Sequence, residues 1–221
     1  MPDLGPRNLW RMLTKAVLFE LRLYRSLARW VLRRHDVRYD DARPVSYAKT
    51  VTPVMWLWIF ASAVEVPLVH LLIPWDSVRI VVLVLSIWGL LWMVGLLASL
   101  TVYPHLLTPT GLRVRNGAST DITLPWSRVA SASYQRRDLD STIRTLQPRE
   151  TEDGTNLQVA VSGQVNVHLR LHGPTVVATP KGELEIVELS LFADDPRALV
   201  AAVREQIGSR AKPTPRTGGT R

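Results

Sequence analysis

The hydrophobic period changes twice along the chain. From Leu9 to about Arg34 apolar residues recur every three or four positions: Leu9, Trp10, Leu13, Val17, Leu21, Tyr24, Leu27, Ala28 and Val31. That spacing predicts one face of a helix. Arg11, Lys15, Arg22, Arg25, Arg29 and Arg33 occupy much of the remainder. From 51 to 73 and from 79 to 101 the periodicity gives way to two almost uninterrupted apolar runs. Between Lys49 and Arg113 the only formal charges are Glu65, Asp76 and Arg79. Each run is long enough to cross a hydrocarbon core, which needs about 20 residues. The link Pro74-Trp75-Asp76-Ser77-Val78 is a turn in composition, and so short a link predicts antiparallel neighbours. Trp56, Trp58, Trp75 and Tyr103 lie where interfacial aromatic belts are expected, whereas Trp88 and Trp92 lie deeper.

After Thr108-Pro109 the period becomes two. Residues 112–115 and 120–124 alternate around Asn116-Gly117, which predicts a hairpin, and 129–134 alternates again. The charged stretch 136–156, with Pro148 and Gly154, reads as a long loop. Residues 157–162 and 165–171 read as a second hairpin about Gly163, 174–177 as a short strand and 184–192 as another. Asp194-Asp195-Pro196 predicts the capped start of a helix running to about Ile207. Residues 208–221 read as a disordered tail. The expected organisation is therefore a basic amphipathic helix and linker (1–50, the linker from His35 to Lys49), a transmembrane hairpin (51–103), a β domain closed by one helix (108–207) and the tail.

Charge sets the expected orientation. The net charge is +8, carried by arginine with only four lysines, and residues 1–50 hold eleven Lys or Arg against Arg79 alone beside the turn. The positive-inside rule places the N-terminal side in the cytoplasm, and two crossings return the C-terminal domain there. The expected location is the plasma membrane, multi-pass, with both termini cytoplasmic. The arginine bias with abundant Ala and Val suits a bacterial chain. Arg11, Lys15, Glu20, Arg22 and Arg25 interrupt the first helix, so it is not read as a signal peptide. Cysteine is absent, which excludes disulfides and thiolate chemistry. A basic amphipathic helix before a transmembrane segment reads as interfacial, with its arginines on anionic headgroups. Packing of that helix on the C-terminal domain is the alternative. No nucleic-acid-reading module accompanies the basic residues, so nucleic acid is not an expected partner.

The segment YPHLLTPTGLRVRNGASTDITLPWSRVASAS resembles the opening of the bacterial pleckstrin-homology-like (PH-like) domains that follow transmembrane hairpins. Leu107, Gly111, Leu112, Pro125, Trp126, Ser127 and Val129 match its pattern, and ELSLFADDPRALVAAV is similar to the strand-then-helix close. Over residues 51–207 the resemblance implies a membrane α+β protein with an antiparallel PH-like domain, and it implies no catalytic activity. The long 136–156 segment and the basic first helix depart from the simplest members.

Candidate chemistry is sparse. Glu65, in EVPLVH with Pro67 and His70, places a carboxylate near mid-bilayer at a cost of roughly 3 kcal/mol. Helical rise sets it opposite about Ser86 to Gly89, within reach of the Ser86 hydroxyl or the Trp88 indole. Packing glue, a proton relay or ligand contact, and a partner-helix contact are all open to it. His168, Arg170 and His172 share one strand face and read as exposed polar positions, since a metal would lack a third spaced ligand. Trp126 reads as core. No phosphate loop, nucleophile elbow or helical metal pair occurs, so neither a metal, a cofactor nor enzymatic activity is expected. The expected function is a membrane-anchored binding or scaffolding module engaging a protein partner, a homo-oligomer or a membrane component. The alternative is an oligomeric proton-coupled transporter using Glu65.

Overall fold

The computed structural model describes residues 6–33, 41–140 and 144–211. In chain order they form α1 (Pro6–Val31), β1 (Arg43–Val45), α2 (Thr52–Leu72), α3 (Asp76–Val102), β2 (His105–Leu107), β3 (Gly111–Asn116), β4 (Thr120–Pro125), a 3-10 turn at Trp126–Arg128, β5 (Val129–Asp138), β6 (Leu146–Thr151), β7 (Gly154–Val159), β8 (Gln164–Thr179), β9 (Gly182–Leu191) and α4 (Pro196–Ala211). The architecture is mixed α+β. The segments 1–5, 34–40 and 212–221, with most of the expected tail, lie outside the described residues.

The two apolar runs form helices of 21 and 27 residues, α2 and α3, both long and apolar enough to cross a membrane. Their side chains face outward along most of their length. Leu57, Trp58, Phe60, Leu71, Leu72, Ile80 and Leu85 are all more than half exposed. Only in its last two turns does α3 become buried, at Gly95, Leu97, Ala98, Ser99 and Val102. A core helix of a water-soluble protein hides its apolar side chains; these two leave theirs uncovered.

β1 to β4 form one antiparallel sheet, and the second has the order β5-β8-β9-β7-β6. In β4 burial alternates strictly, with Thr120, Ile122 and Leu124 inward and Asp121, Thr123 and Pro125 outward. Leu112, Val114, Ile122 and Leu124 meet Leu157, Leu169, Ile186 and Leu189 of the other sheet, while Leu199 and Val203 of α4 close the core. Trp126 is buried and its indole N–H donates to the Thr108 carbonyl at 2.9 Å. Burial of each such side chain is worth about 1.5–3 kcal/mol. The Asp195 carboxylate accepts from the Ala198 N–H at the start of α4, as the Asp-Asp-Pro signal requires, although α4 continues four residues past Ile207.

Three segments depart from the sequence expectations. The stretch 136–156 is largely strand: β5 runs to Asp138, and β6 pairs with β7 from Leu146↔Val159 to Thr151↔Gly154, with 141–143 between them outside the described residues. Its charged residues are the exposed face of a hairpin at the sheet edge. The expected hairpin about Gly163 closes at the antiparallel bridge Val161↔Gln164 and goes no further, because β9 lies between β7 and β8 and runs parallel to β7. The end of the expected linker is structured as well: β1 pairs with β2, and Tyr47 is 1% exposed.

Helix α1 runs parallel to α3, with Glu20 beside Trp88, Leu23 against Gly95 and Arg29 at Tyr103. A Cβ on Gly95 would sit 3.5 Å from the Leu23 carbonyl oxygen, an ordinary van der Waals contact, so the two helices pack closely here with room for no more than a methyl group. At about 100° per residue, α1 has three faces. Leu23 and Ser26 are buried, the arginines lie on a second face, and Trp10, Leu13, Val17, Leu21 and Val31 form an exposed apolar third.

Candidate functional site

The β domain is fastened to the base of the helices by Tyr47. Its hydroxyl donates to the Tyr103 carbonyl at 3.0 Å and accepts the Gly117 N–H at 2.7 Å, and its ring lies 4.6 Å from that of His105. Burial pushes the Tyr47 phenol above its ordinary pKa. His105, also buried, uses both nitrogens: Nε2–H donates to the Phe192 carbonyl at 3.0 Å, and Nδ1 accepts the Arg115 N–H at 3.0 Å. Only neutral imidazole satisfies both bonds, and burial lowers its pKa to about 4. A second clamp joins Asp194 to the same segment: its N–H donates to the Ser46 carbonyl, and its carboxylate accepts the Lys49 N–H.

This fastening brings β3 against α1. Arg22, Arg25 and Arg29 of α1 and Arg113 and Arg115 of β3 line one cavity of about 220 Å³ together with Tyr103 and, among the described residues, a single carboxylate, Asp121. Arg113 and Arg115 share one face of β3, while Leu112 and Val114 turn into the core. Asp121, cross-strand from Arg115, grips Arg113 with both oxygens, at 2.7 Å to Nε and 2.5 Å to Nη2. The side chain of Arg115 is 1% exposed, and its Nε lies 3.9 Å from Asp121 Oδ1. Arg29 and Arg115 both flank the Tyr103 ring, with their guanidinium carbons 6.0 and 5.9 Å from its centroid. That geometry suits cation–π attraction. Arg22 and Arg25 are exposed. The cavity concentrates positive charge on rigid supports, an arrangement suited to an anion with several oxygen acceptors.

Two other concavities differ in kind. A groove of about 670 Å³ between α2, α3 and residues 44–49 is lined mainly by apolar groups, among them Trp30, Trp56, Leu97 and Leu100. A polar hollow on the second sheet includes His168, Arg170 and Glu188. His168 is not an exposed polar position: it is 6% exposed, bonded through Nδ1 to Ser190 Oγ at 2.9 Å and through Nε2 to the Gln135 carbonyl at 2.8 Å. Ser190 in turn donates to Asn156. The hydrogen bond from His168 holds the Glu188 carboxyl below the usual range. This network ties four strands together. Arg170 pairs with Asp153 at the surface.

The residues singled out in the apolar helices do not converge. Glu65 is exposed, and among the described residues it has no hydrogen-bond or ion-pair partner. The Trp88 indole donates instead to Glu20 of α1 at 2.7 Å, where Tyr24 O–H also donates. The first helix supplies a carboxylate at this level of α3, which pairing across α2 and α3 alone did not include. Ser86 and His70 are half-buried, away from any common site with Glu65. Of the expected basic residues, Arg22, Arg25 and Arg29 of α1 reach the cavity, and Arg33 lies exposed in the turn two residues past the helix. The side chains of Arg11 and Lys15 lie outside the described ones. Sequence reasoning missed Arg113, Arg115, Tyr103 and Tyr47 as site residues. The alternation Leu-Arg-Val-Arg put both arginines on one face, but nothing local pointed that face at α1.

No protein-family model matches this chain, and no curated protein or solved structure matches it either, so the functional reading rests on these residues.

Proposed function

We propose that this protein is a membrane-anchored, non-enzymatic binding module. α2 and α3 cross the bilayer, and a cytoplasmic PH-like domain is held rigidly against the inner surface. The observation that carries this reading is the contrast in cover: α2 and most of α3 expose continuous apolar surface, whereas the end of α3 is packed under α1 and the β3–β4 turn. α2, at about 31 Å by helical rise, matches the roughly 30 Å hydrocarbon thickness. The outward apolar stripe of α1 also faces lipid in this arrangement. Two sheets closed by a C-terminal helix support the PH-like assignment, and the arginine excess of residues 1–50 supports the orientation.

The test is alkaline carbonate extraction combined with reporter fusions at the C-terminus and at the Trp75 turn. The protein is expected in the membrane pellet, with a cytoplasmic reporter active at the C-terminus and an exported one at the turn. Release into the supernatant would sink the anchoring, and an exported C-terminus would invert the orientation.

Exposure of Glu65 favours a second reading, in which copies assemble through α2. A carboxylate facing lipid is costly, and a neighbouring copy offers it a partner. Glu65→Gln keeps the hydrogen-bonding shape and removes the charge. Under this reading the variant changes the oligomer mass measured by light scattering in detergent; an unchanged mass argues for the simple module.

A further inference from the structure

We infer that the arginine-lined cavity between α1 and β3 binds a phosphate group, supplied by the headgroup of an anionic phospholipid in the inner leaflet. The inference deepens the membrane-anchored reading and rests on it. Among the described residues, five guanidiniums from two segments far apart in sequence surround one space with a single carboxylate. Asp121 is engaged in gripping Arg113 and approaching Arg115, so it fixes the orientation of these two arginines. Arg115 is held against the Tyr103 ring and Arg29 stands on the same ring, so three of the five cations are preorganised. Arg22 and Arg25, exposed on the rim, close over a bound group. Planar guanidiniums match phosphate oxygens two at a time.

Backbone donors at the nearby turn are already used. The Gly117 N–H goes to Tyr47 and the Ala118 N–H to Ser99 Oγ, so recognition falls to the arginine side chains. Location selects the source of the phosphate. Tyr103 follows directly on the last residue of α3, which puts the cavity at the inner headgroup layer when α3 spans. The exposed apolar stripe of α1 runs beside it, where acyl chains would lie. A zwitterionic headgroup would bring its own cation among five others, which disfavours it. Neither the β domain alone nor α1 alone makes this site.

The experiment is native mass spectrometry of the full-length protein in detergent, titrated with dioleoyl phosphatidylglycerol, dioleoyl phosphatidylcholine or glycerol 3-phosphate. The wild type is expected to hold phosphatidylglycerol at least about tenfold more tightly than phosphatidylcholine. Arg22→Gln with Arg25→Gln, both at exposed positions, is expected to remove about tenfold or more of that preference, as the loss of two charge-assisted contacts implies. Arg128→Gln with Arg149→Gln removes the same charge from exposed positions outside the cavity and is expected to leave the preference intact. Equal loss in both double variants, or no preference in the wild type, overturns the site. Glycerol 3-phosphate binding as tightly as the lipid overturns the lipid source. The membrane reading fails separately, through carbonate release of the wild type.

Discussion

The two ends of α3 are built from similar residues and live in different surroundings. From Asp76 to about Trp92 the helix shows Ile80, Val84, Leu85 and Ile87 to the outside, whereas from Gly95 to Val102 it disappears under protein. Both stretches are apolar, so hydropathy does not separate them. The difference lies in what packs on them. Leu23 of α1 meets Gly95, and the β3–β4 turn meets Ser99, where an added Cβ on Gly117 (φ +54°) would lie 2.6 Å from Oγ. One end of the helix therefore carries uncovered apolar surface and the other serves as a foundation. The arginine cavity exists only at the foundation end.

Breaking the foundation carries the largest expected effect. Tyr47→Ala removes a fully buried ring, its contact with His105 and the hydrogen bond to Gly117; a loss of about 4 kcal/mol is expected. Thermal unfolding of the detergent-purified protein measures it. Tyr47→Phe keeps the ring and should cost only about 1–2 kcal/mol. If the two variants are equal, the hydroxyl rather than the packing holds the junction.

Acid attacks the same end next. The folded His105 resists protonation until about pH 4, while the unfolded chain takes the proton near 6.5. Stability from this residue is complete above about 6.5 and drains as pH falls toward 4, by up to about 3 kcal/mol. The groups facing the imidazole are Arg115, Asp194 and the Tyr47 ring. Glu188, held below its ordinary value, contributes stability that is lost only at lower pH. The slope of stability between pH 6.5 and 5 should therefore flatten in His105→Gln; an unchanged slope would assign the acid sensitivity elsewhere.

The smallest effect is expected at the open end. Leu85→Ala trims a side chain that is 55% exposed and touches little protein, so the folded state should change by less than about 0.5 kcal/mol. A drop of several kcal/mol in detergent-solubilised protein would mean that another protein surface covers α3 there, which would sharpen the case for assembly through the apolar helices.

How much was legible follows the range of each interaction. The expected 51–73 and 79–101 runs became Thr52–Leu72 and Asp76–Val102, because an almost uninterrupted apolar run of that length is a local property. The β3–β4 hairpin was legible for a similar reason, since alternation and a glycine turn sit within fifteen residues. The β6–β7 hairpin was not: its outer strand is an exposed edge whose side chains alternate no apolar face. The pairing of β7 with β9 was hidden because it joins strands about thirty residues apart. At the candidate site, Arg22, Arg25 and Arg29 were visible as one basic face of a helix. Glu65 stood out as a charge in an apolar run, yet it has no partner among the described residues, and the carboxylate that meets Trp88 is Glu20.

The sequence by itself determined the two apolar helices, the basic face of the first helix, the switch to a β domain and the capped closing helix. Each depends on residues within a few turns or one hairpin. Only the tertiary structure decided that Arg113 and Arg115 face those α1 arginines, that Tyr47 pins the domain to α3, and that α1 turns its apolar stripe outward. Those outcomes depend on contacts between segments 70 to 90 residues apart, such as Tyr47 with Gly117 and Arg29 with Tyr103. Such contacts follow from close packing and the satisfaction of buried polar groups, which no local period encodes.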